Sequence, residues 1–255
     1  VTVGLLEAQR LTKRFGGLIA VQRFTLTVDQ GEVVGLIGPN GSGKTTVFNL
    51  LTGFLRPDEG AVWLDGQNIA GRPPHEIAQL GLVRTFQNLR PFHGLDVLEN
   101  LRTAALPTCA TEGEARRRGH EVMDLLDLGP VAHRLPAELP TGHLKMLEAG
   151  KALAAAPRVL LLDEPYAGLN PREVETFTAI LRRLATGAAS PGTRSGPRTI
   201  VLIEHVMRAV MAVCQRVAVL HHGEKIADGL PAEVARNPAV ITAYLGRRYA
   251  AGPRS

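Results

Sequence analysis

Two spacings of apolar residues organise this chain. Phe24, Leu26 and Val28 alternate with Thr25 and Thr27, the period of two that predicts a strand with one buried face. A further strand is expected over 61–64, closed by the turn residues Asp65-Gly66. Residues 33–37 are apolar on both faces, and the same pattern returns at 158–162 and 199–203. Such runs suit strands of a parallel sheet covered on both sides. From about 95 to 151 the spacing becomes helical. Asp96, with Glu99 three residues on, marks the start of a helix over 97–105. Val122, Leu125 and Leu126 form the stripe of another, which Gly129-Pro130 should end. Asn170 as cap and Pro171 as first residue open a helix through Leu184. Strands at 216–220 and 225–227 flank a His221-His222-Gly223 turn, and helices are expected within 231–247. An α/β fold with a parallel core and a helical insertion is the economical reading.

Composition narrows this further. The chain has 255 residues, of which 45% are hydrophobic and 21% charged, which excludes a disordered chain, a collagen-like fibre and a coiled-coil rod. That length suits one large domain or two small intimate ones. Two cysteines, Cys109 and Cys214, make no disulfide scaffold and point to a reducing compartment. No apolar run approaches the roughly 20 residues of a membrane helix, and the start lacks the layout of a signal peptide, so the chain is not expected to cross a membrane by itself. The net charge of +5 is scattered and reads as solvated surface. Residues 186–197, rich in Gly, Ser and Pro, read as a surface loop.

One segment carries unmistakable chemistry. Gly38-Pro39-Asn40-Gly41-Ser42-Gly43-Lys44-Thr45 matches G-x-x-x-x-G-K-[ST] in full, directly after a buried strand and before a helical stretch starting at Thr46. A phosphate that has lost its water must be wrapped tightly, so the loop needs residues without bulk. Its amide N–H groups and the following helix N-terminus supply positive potential. Lys44 would meet the β- and γ-phosphates and the Thr45 hydroxyl would ligate Mg²⁺.

A Mg²⁺ site also needs a carboxylate. Residues 159–162 lead into Asp163 and Glu164, which alone could be an exposed turn with solvated charges. Beside the phosphate loop, Asp163 reads as the holder of Mg²⁺ and Glu164 as the base that orients and deprotonates water. Another apolar strand ends at Glu204-His205. Adjacent His221 and His222 have no accompanying ligand set and are not expected to bind metal.

Further elements follow in an order that resembles the ATP-binding cassette (ABC) proteins. Phe15 stands where these stack an aromatic on adenine. Gln87, in Arg84-Thr85-Phe86-Gln87, resembles the Q-loop, which adds a Mg²⁺ contact. Leu139-Pro140-Thr141-Gly142-His143 occupies the signature position, Ala167-Gly168-Leu169-Asn170 looks like the D-loop, and His205 looks like the switch histidine. Within the family, LTKRFGGLIAV, VRTFQNLRPF, LDEPYAGLNP, LIEHVMRAVM and HHGEKIADGLPAEV followed by AYLG resemble the LivG-type ATPases of branched-chain amino-acid importers. The resemblance implies a P-loop NTPase (RecA-like) core, an antiparallel β-subdomain and an α-helical subdomain over about 88–150, all in a single ABC domain. It implies ATP and Mg²⁺ as ligands and head-to-tail pairing, each ATP lying between one chain's phosphate loop and the other's signature helix.

The resemblance also implies partners: membrane permease subunits, a companion ABC ATPase (with a homodimer as the other option) and, indirectly, a solute-binding protein. The place would be the cytoplasmic face of the cell membrane, with no role for nucleic acid. Leu89, Arg90 and Phe92 follow the Q-loop; they read equally as anchors for a permease helix and as local packing. The cargo stays open between branched-chain amino acids, urea or amides, and lipid, and a non-transport ABC ATPase is the rival reading. The signature departs from Leu-Ser-Gly-Gly-Gln. Pro140 removes a hydroxyl and an N–H, Thr141 offers a hydroxyl one residue later, and His143 replaces the glutamine. Because that segment acts in trans, two unequal sites are expected in a heterodimer.

Overall fold

The computed structural model describes residues 4–188 and 196–245; most of the expected 186–197 loop and the end of the expected 231–247 tail lie outside them. In chain order the elements begin with β1 (Leu6–Phe15), β2 (Leu18–Val28), β3 (Val33–Ile37), α1 (Lys44–Leu51), β4 (Glu59–Leu64) and β5 (Gln67–Asn68). Next come α2 (Pro74–Gln79), β6 (Leu82–Arg84), α3 (Val97–Ala105), α4 (Glu112–Leu125), α5 (Thr141–Ala154) and β7 (Val159–Asp163). The chain ends with α6 (Pro171–Ala185), β8 (Thr199–Ile203), α7 (Met207–Val213), β9 (Arg216–His221), β10 (Glu224–Gly229), α8 (Pro231–Val234) and α9 (Pro238–Leu245). They fall into two compact units, one built from the segments before 75 and after 200, the other from 75–200.

In the first unit β2, β1, β4 and β5 form an antiparallel sheet in that order. Phe24, Leu26 and Val28 are buried and the residues between them exposed, as the period of two requires. The period of two is legible only near Phe24, yet strands fill most of the first thirty residues. They are two long ones of 10 and 11 residues, because bulges absorb the irregular pattern: the β1–β2 register shifts between Ala8 and Leu11, where Arg10 has a φ of 48°. Gly60 is needed at the same place, since a Cβ there would lie 2.4 Å from the Gln9 carbonyl. The same unit holds β3, which is buried along its whole length and pairs parallel with β9; β9 pairs antiparallel with β10.

In the second unit β6 and β7 run parallel, with Val83 opposite Leu160, and every residue of β7 is buried. Here α3 packs on α4 and α5, and glycines mark the closest approaches. A Cβ on Gly150 would come within 2.8 Å of both Leu101 and Leu126. The helix start at Asp96 is as read from sequence, its carboxylate accepting from the Glu99 N–H at 2.8 Å. The end of α4 is not: the helix stops at Leu125, and Asp127 takes a φ of 54°. Gly129-Pro130 instead begins a separate 3₁₀ turn, Gly129–Val131.

Asn100, fully buried on α3, holds the loop that precedes its own helix. Its side chain accepts from the Phe92 N–H and donates to the carbonyls of Phe92, Leu95 and Asp96. Removing it strips the Asn100 partner from the Phe92 N–H and the Leu95 carbonyl, while the Phe92 and Asp96 carbonyls keep their bonds from the Leu95 and Asn100 N–H groups. Asn100→Ala is therefore expected to cost about 2 kcal/mol of unfolding free energy in urea titration. A loss below roughly 0.5 kcal/mol would contradict this role for the bonds.

Candidate active site

The phosphate-loop residues lie in the first unit, between β3 and α1. Three of their glycines have positive φ: Gly38 at 153°, Gly41 at 76° and Gly43 at 107°. Neighbouring backbone presses on two of them. A Cβ on Gly38 would lie 2.1 Å from the Leu220 carbonyl oxygen, and one on Gly43 would lie 2.4 Å from that of Ala20. Gly223 donates its N–H to the Ser42 carbonyl at 2.9 Å, so β2, β9 and the turn after β9 form the loop's wall. At Gly41, by contrast, a Cβ would meet nothing within 4 Å. The loop is rigid at its base and open at its crest.

Lys44 is only 8% exposed, and its Nζ donates to the Gly38 and Pro39 carbonyls at 2.8 and 3.0 Å. Asn40 and Thr45 are exposed, and Pro39 and Thr46 half-buried. Helix α1 starts at Gly43 with no side-chain cap and no acidic residue in its first turn, leaving the positive end of its dipole unneutralised. The Ser42 Oγ is buried without a partner, an uncommon state for a hydroxyl. An orphaned donor, a clustered set of amides and a half-sequestered ammonium together fit a polyphosphate.

Phe15 ends β1 with its ring 47% exposed and Lys13 Nζ 5.8 Å from the centroid. His205 follows β8 and is exposed. Its backbone is clamped by Glu204, which is completely buried and accepts from the N–H groups of His205 and Val206 at 3.0 and 3.2 Å. Tyr244 of the AYLG stretch, quoted above only for its likeness to the family, lies on α9, where burial raises its phenol pKa and the Gly38 main chain opposes that.

The second unit carries the acidic residues. Asp163 ends β7 in a buried ion pair with Arg84, Nη2 to Oδ2 2.8 Å. The Asp163 N–H donates to the Thr85 hydroxyl at 3.1 Å, and the Arg84 guanidinium lies 4.7 Å from the Phe86 ring. Burial pushes the Asp163 carboxyl above the usual carboxylate range, with the Arg84 and Lys145 charges opposing that and Glu164 adding to it. Desolvation lowers the Arg84 value in turn. The sequence drew attention to Gln87 rather than to Arg84; a cation closing a short apolar run, 82–84, was the available signal.

Glu164 is half-buried with a φ of 49°. Its carboxylate accepts from Gln87 Nε2 at 3.1 Å and its main-chain carbonyl accepts from Lys145 Nζ at 3.2 Å. Gln87 and Glu164, singled out from the sequence as Q-loop residue and base, are therefore in contact. At the signature position Pro140 precedes α5 and supplies no side-chain cap; Thr141 is exposed and Gly142 buried. The Gly142 backbone lies against Glu173, for a Cβ there would be 2.1 Å from its Oε1. Glu173 also accepts from the Asn170 N–H at 2.8 Å, within the reciprocal cap that opens α6. The His143 Nδ1 is buried without a partner. Phe92 is 42% exposed, with Lys151 Nζ 4.8 Å from its ring centroid.

Comparison with known proteins bears on these residues. Residues 21–167 match the family model described as ABC transporter, and 224–250 that of the branched-chain amino acid ATP-binding cassette transporter. The chain is 41% identical over 257 residues to the high-affinity branched-chain amino acid transport ATP-binding protein BraF of Pseudomonas aeruginosa, covering 95% of this chain and 98% of that one. It is 38% identical, with the same coverage, to LivG of Escherichia coli, which bears the same description. It is 32% identical over 245 residues to the lipopolysaccharide export system ATP-binding protein LptB of Acidithiobacillus ferridurans, covering 96% and 98%. Among solved structures it resembles a nucleotide-free ATP-binding cassette from an ABC transporter, with a TM-score of 0.84, 29% identity and 95% and 99% coverage. An ADP conformation of such a cassette gives a TM-score of 0.84 at 29% identity, covering 96% and 100%.

The Arg84–Asp163 pair sets a stability expectation. Arg84→Met strands a buried carboxylate, and about 3 kcal/mol should be lost in urea unfolding at neutral pH. Without the cation Asp163 rises further above its unfolded value. The loss is then full above the raised folded value and shrinks as acid protonates the carboxyl. A variant as stable as the parent at neutral pH would contradict the pairing.

Proposed function

Because the chain belongs to the ABC transporter family of ATP-binding proteins, we propose that it is the ATP-hydrolysing subunit of a membrane importer for branched-chain or related amino acids. The observation that carries the cargo is the match at 224–250, joined to 38–41% identity with two branched-chain amino acid transport proteins along 95% of the chain. The likeness to LptB supports a second reading, lipid export, which differs in cargo and keeps the chemistry.

In this reading the amides of 38–45 and the Lys44 ammonium grip the β- and γ-phosphates, with the buried Ser42 hydroxyl as a further donor, while the Phe15 ring stacks on adenine. Thr45, Asp163 and Gln87 would hold Mg²⁺, directly or through water. The ion suits hard oxygen donors and would neutralise charge developing on the phosphates. For Asp163 this means sharing its carboxylate with Arg84, which keeps it ionised against the cost of burial. Glu164 takes the proton of the attacking water, Gln87 keeps the carboxylate oriented, and His205, on a backbone fixed by Glu204, steadies the γ-phosphate.

The assembly would be a heterodimer with a companion ABC ATPase, bound to permease subunits at the cytoplasmic face of the cell membrane and served by a solute-binding protein. Each signature helix would aim its uncapped N-terminus at the partner's γ-phosphate. That favours closure while the charge is present and releases the pair once phosphate departs. Pro140 and His143 weaken the site that this chain completes for its companion, not the site built on its own loop.

The test is to change Glu164→Gln in this chain, and the corresponding glutamate in the companion, one at a time in the reconstituted transporter. The Glu164 change should slow hydrolysis at least about 100-fold and abolish leucine uptake, with ATP binding retained. The companion change should cost much less. Full hydrolysis in the Glu164→Gln assembly would sink the catalytic assignment, and equal losses from the two changes would sink the unequal sites.

A further inference from the structure

Helix α5 does two things in this fold. Its N-terminus is the signature segment, and one turn further along it carries Lys145, whose Nζ donates to the Glu164 main-chain carbonyl at 3.2 Å. That carbonyl belongs to a residue with a φ of 49°, in the left-handed region that an L-residue with a side chain adopts only at a cost. Such a conformation persists where surrounding contacts over-determine it. At Glu164 Gln87 holds the carboxylate at 3.1 Å, while the main-chain carbonyl accepts from the Ala167 N–H at 3.3 Å, closing the turn, and from the charged Lys145 Nζ at 3.2 Å.

We propose that Lys145 is a positioning residue for ATP hydrolysis, holding the Glu164 peptide in its left-handed conformation and so fixing where the base presents its carboxylate. The inference rests on the reading of Glu164 as the base. Rotation of the Glu164–Pro165 peptide would swing the side chain with it, and a loose base loses the alignment with water on which the rate depends. A charged donor to a main-chain carbonyl is stronger than a neutral one, so an ammonium suits the task.

The consequence reaches beyond one hydrogen bond. Lys145 rides on the helix that begins at Pro140, and the first turn of that helix is tied to the D-loop side as well. Gly142 packs against Glu173, and Glu173 accepts from the Asn170 N–H. A displacement of α5 at its N-terminus is therefore felt by Glu164 of the same chain.

Lys145→Met keeps the aliphatic stem and deletes the donor, and Lys145→Arg restores a cationic donor. Both are compared with the parent and with Glu164→Gln in the assembled transporter, reading kcat and KM for ATP and, separately, ATP binding. Lys145→Met should lower kcat at least about tenfold with KM and ATP affinity within about twofold, and Lys145→Arg should recover to within about threefold of the parent. Parental kcat in Lys145→Met, a loss in KM instead of kcat, or an Arg variant as slow as Met would overturn the proposal while Glu164→Gln stays inactive. Parental hydrolysis by Glu164→Gln would show instead that the base is misassigned.

Discussion

A polyphosphate surrenders its hydration only to a surface that replaces every lost hydrogen bond and opposes its charge, and that demand shapes the first unit. Main-chain amides can do it only if several point at one place, which forces consecutive residues into conformations that side chains resist. Gly38, Gly41 and Gly43 meet the demand with positive φ, and the carbonyls of Leu220 and Ala20 stand where any Cβ at 38 or 43 would have to go. The buried β3 and its parallel partner β9 are, from this viewpoint, the foundation that keeps the nest from relaxing. Lys44, bonded to the loop's own carbonyls, holds a charge ready without a neutralising carboxylate in the first turn of α1.

The second unit solves a different problem, keeping carboxylates charged and aimed inside a fold. Asp163 is nearly buried and is made tolerable by Arg84; such a pair contributes little net stability but is costly to break. Glu164 lies in a strained conformation held from two directions. Stability is given up at these two positions where orientation matters, and the helices α3, α4 and α5, closely packed across Gly150 and Gly119, supply the rigidity that makes the arrangement affordable.

How much of this could be read from the sequence depends on how local each feature is. The phosphate loop was legible because its chemistry needs eight neighbouring residues, and β3, β7 and β8 because burial on both faces leaves unbroken apolar runs. The caps at Asp96 and Asn170 were legible for the same reason, each bond closing over three residues. The Arg84–Asp163 pair joins residues 79 positions apart, and nothing in either neighbourhood names the other. Lys145 looked like any cation on a helix until its reach to Glu164 was seen. The end of α4 was misplaced because Gly129-Pro130 is a strong stop signal, yet Asp127 had already turned the chain in the left-handed region. At three residues β6 is too short to show a period.

The central claim is that recognition resides in the phosphates held by the loop, with the base and adenine contacts secondary. Calorimetric titration of the chain with Mg-ATP and with AMP tests this directly, because the two ligands share adenosine and differ in the β- and γ-phosphates. ATP is expected to bind at least about 100-fold more tightly, a difference of about 2.7 kcal/mol, and Lys44→Ala is expected to erase most of the gap. Equal affinity for the two nucleotides, or an undiminished gap in Lys44→Ala, would contradict the account.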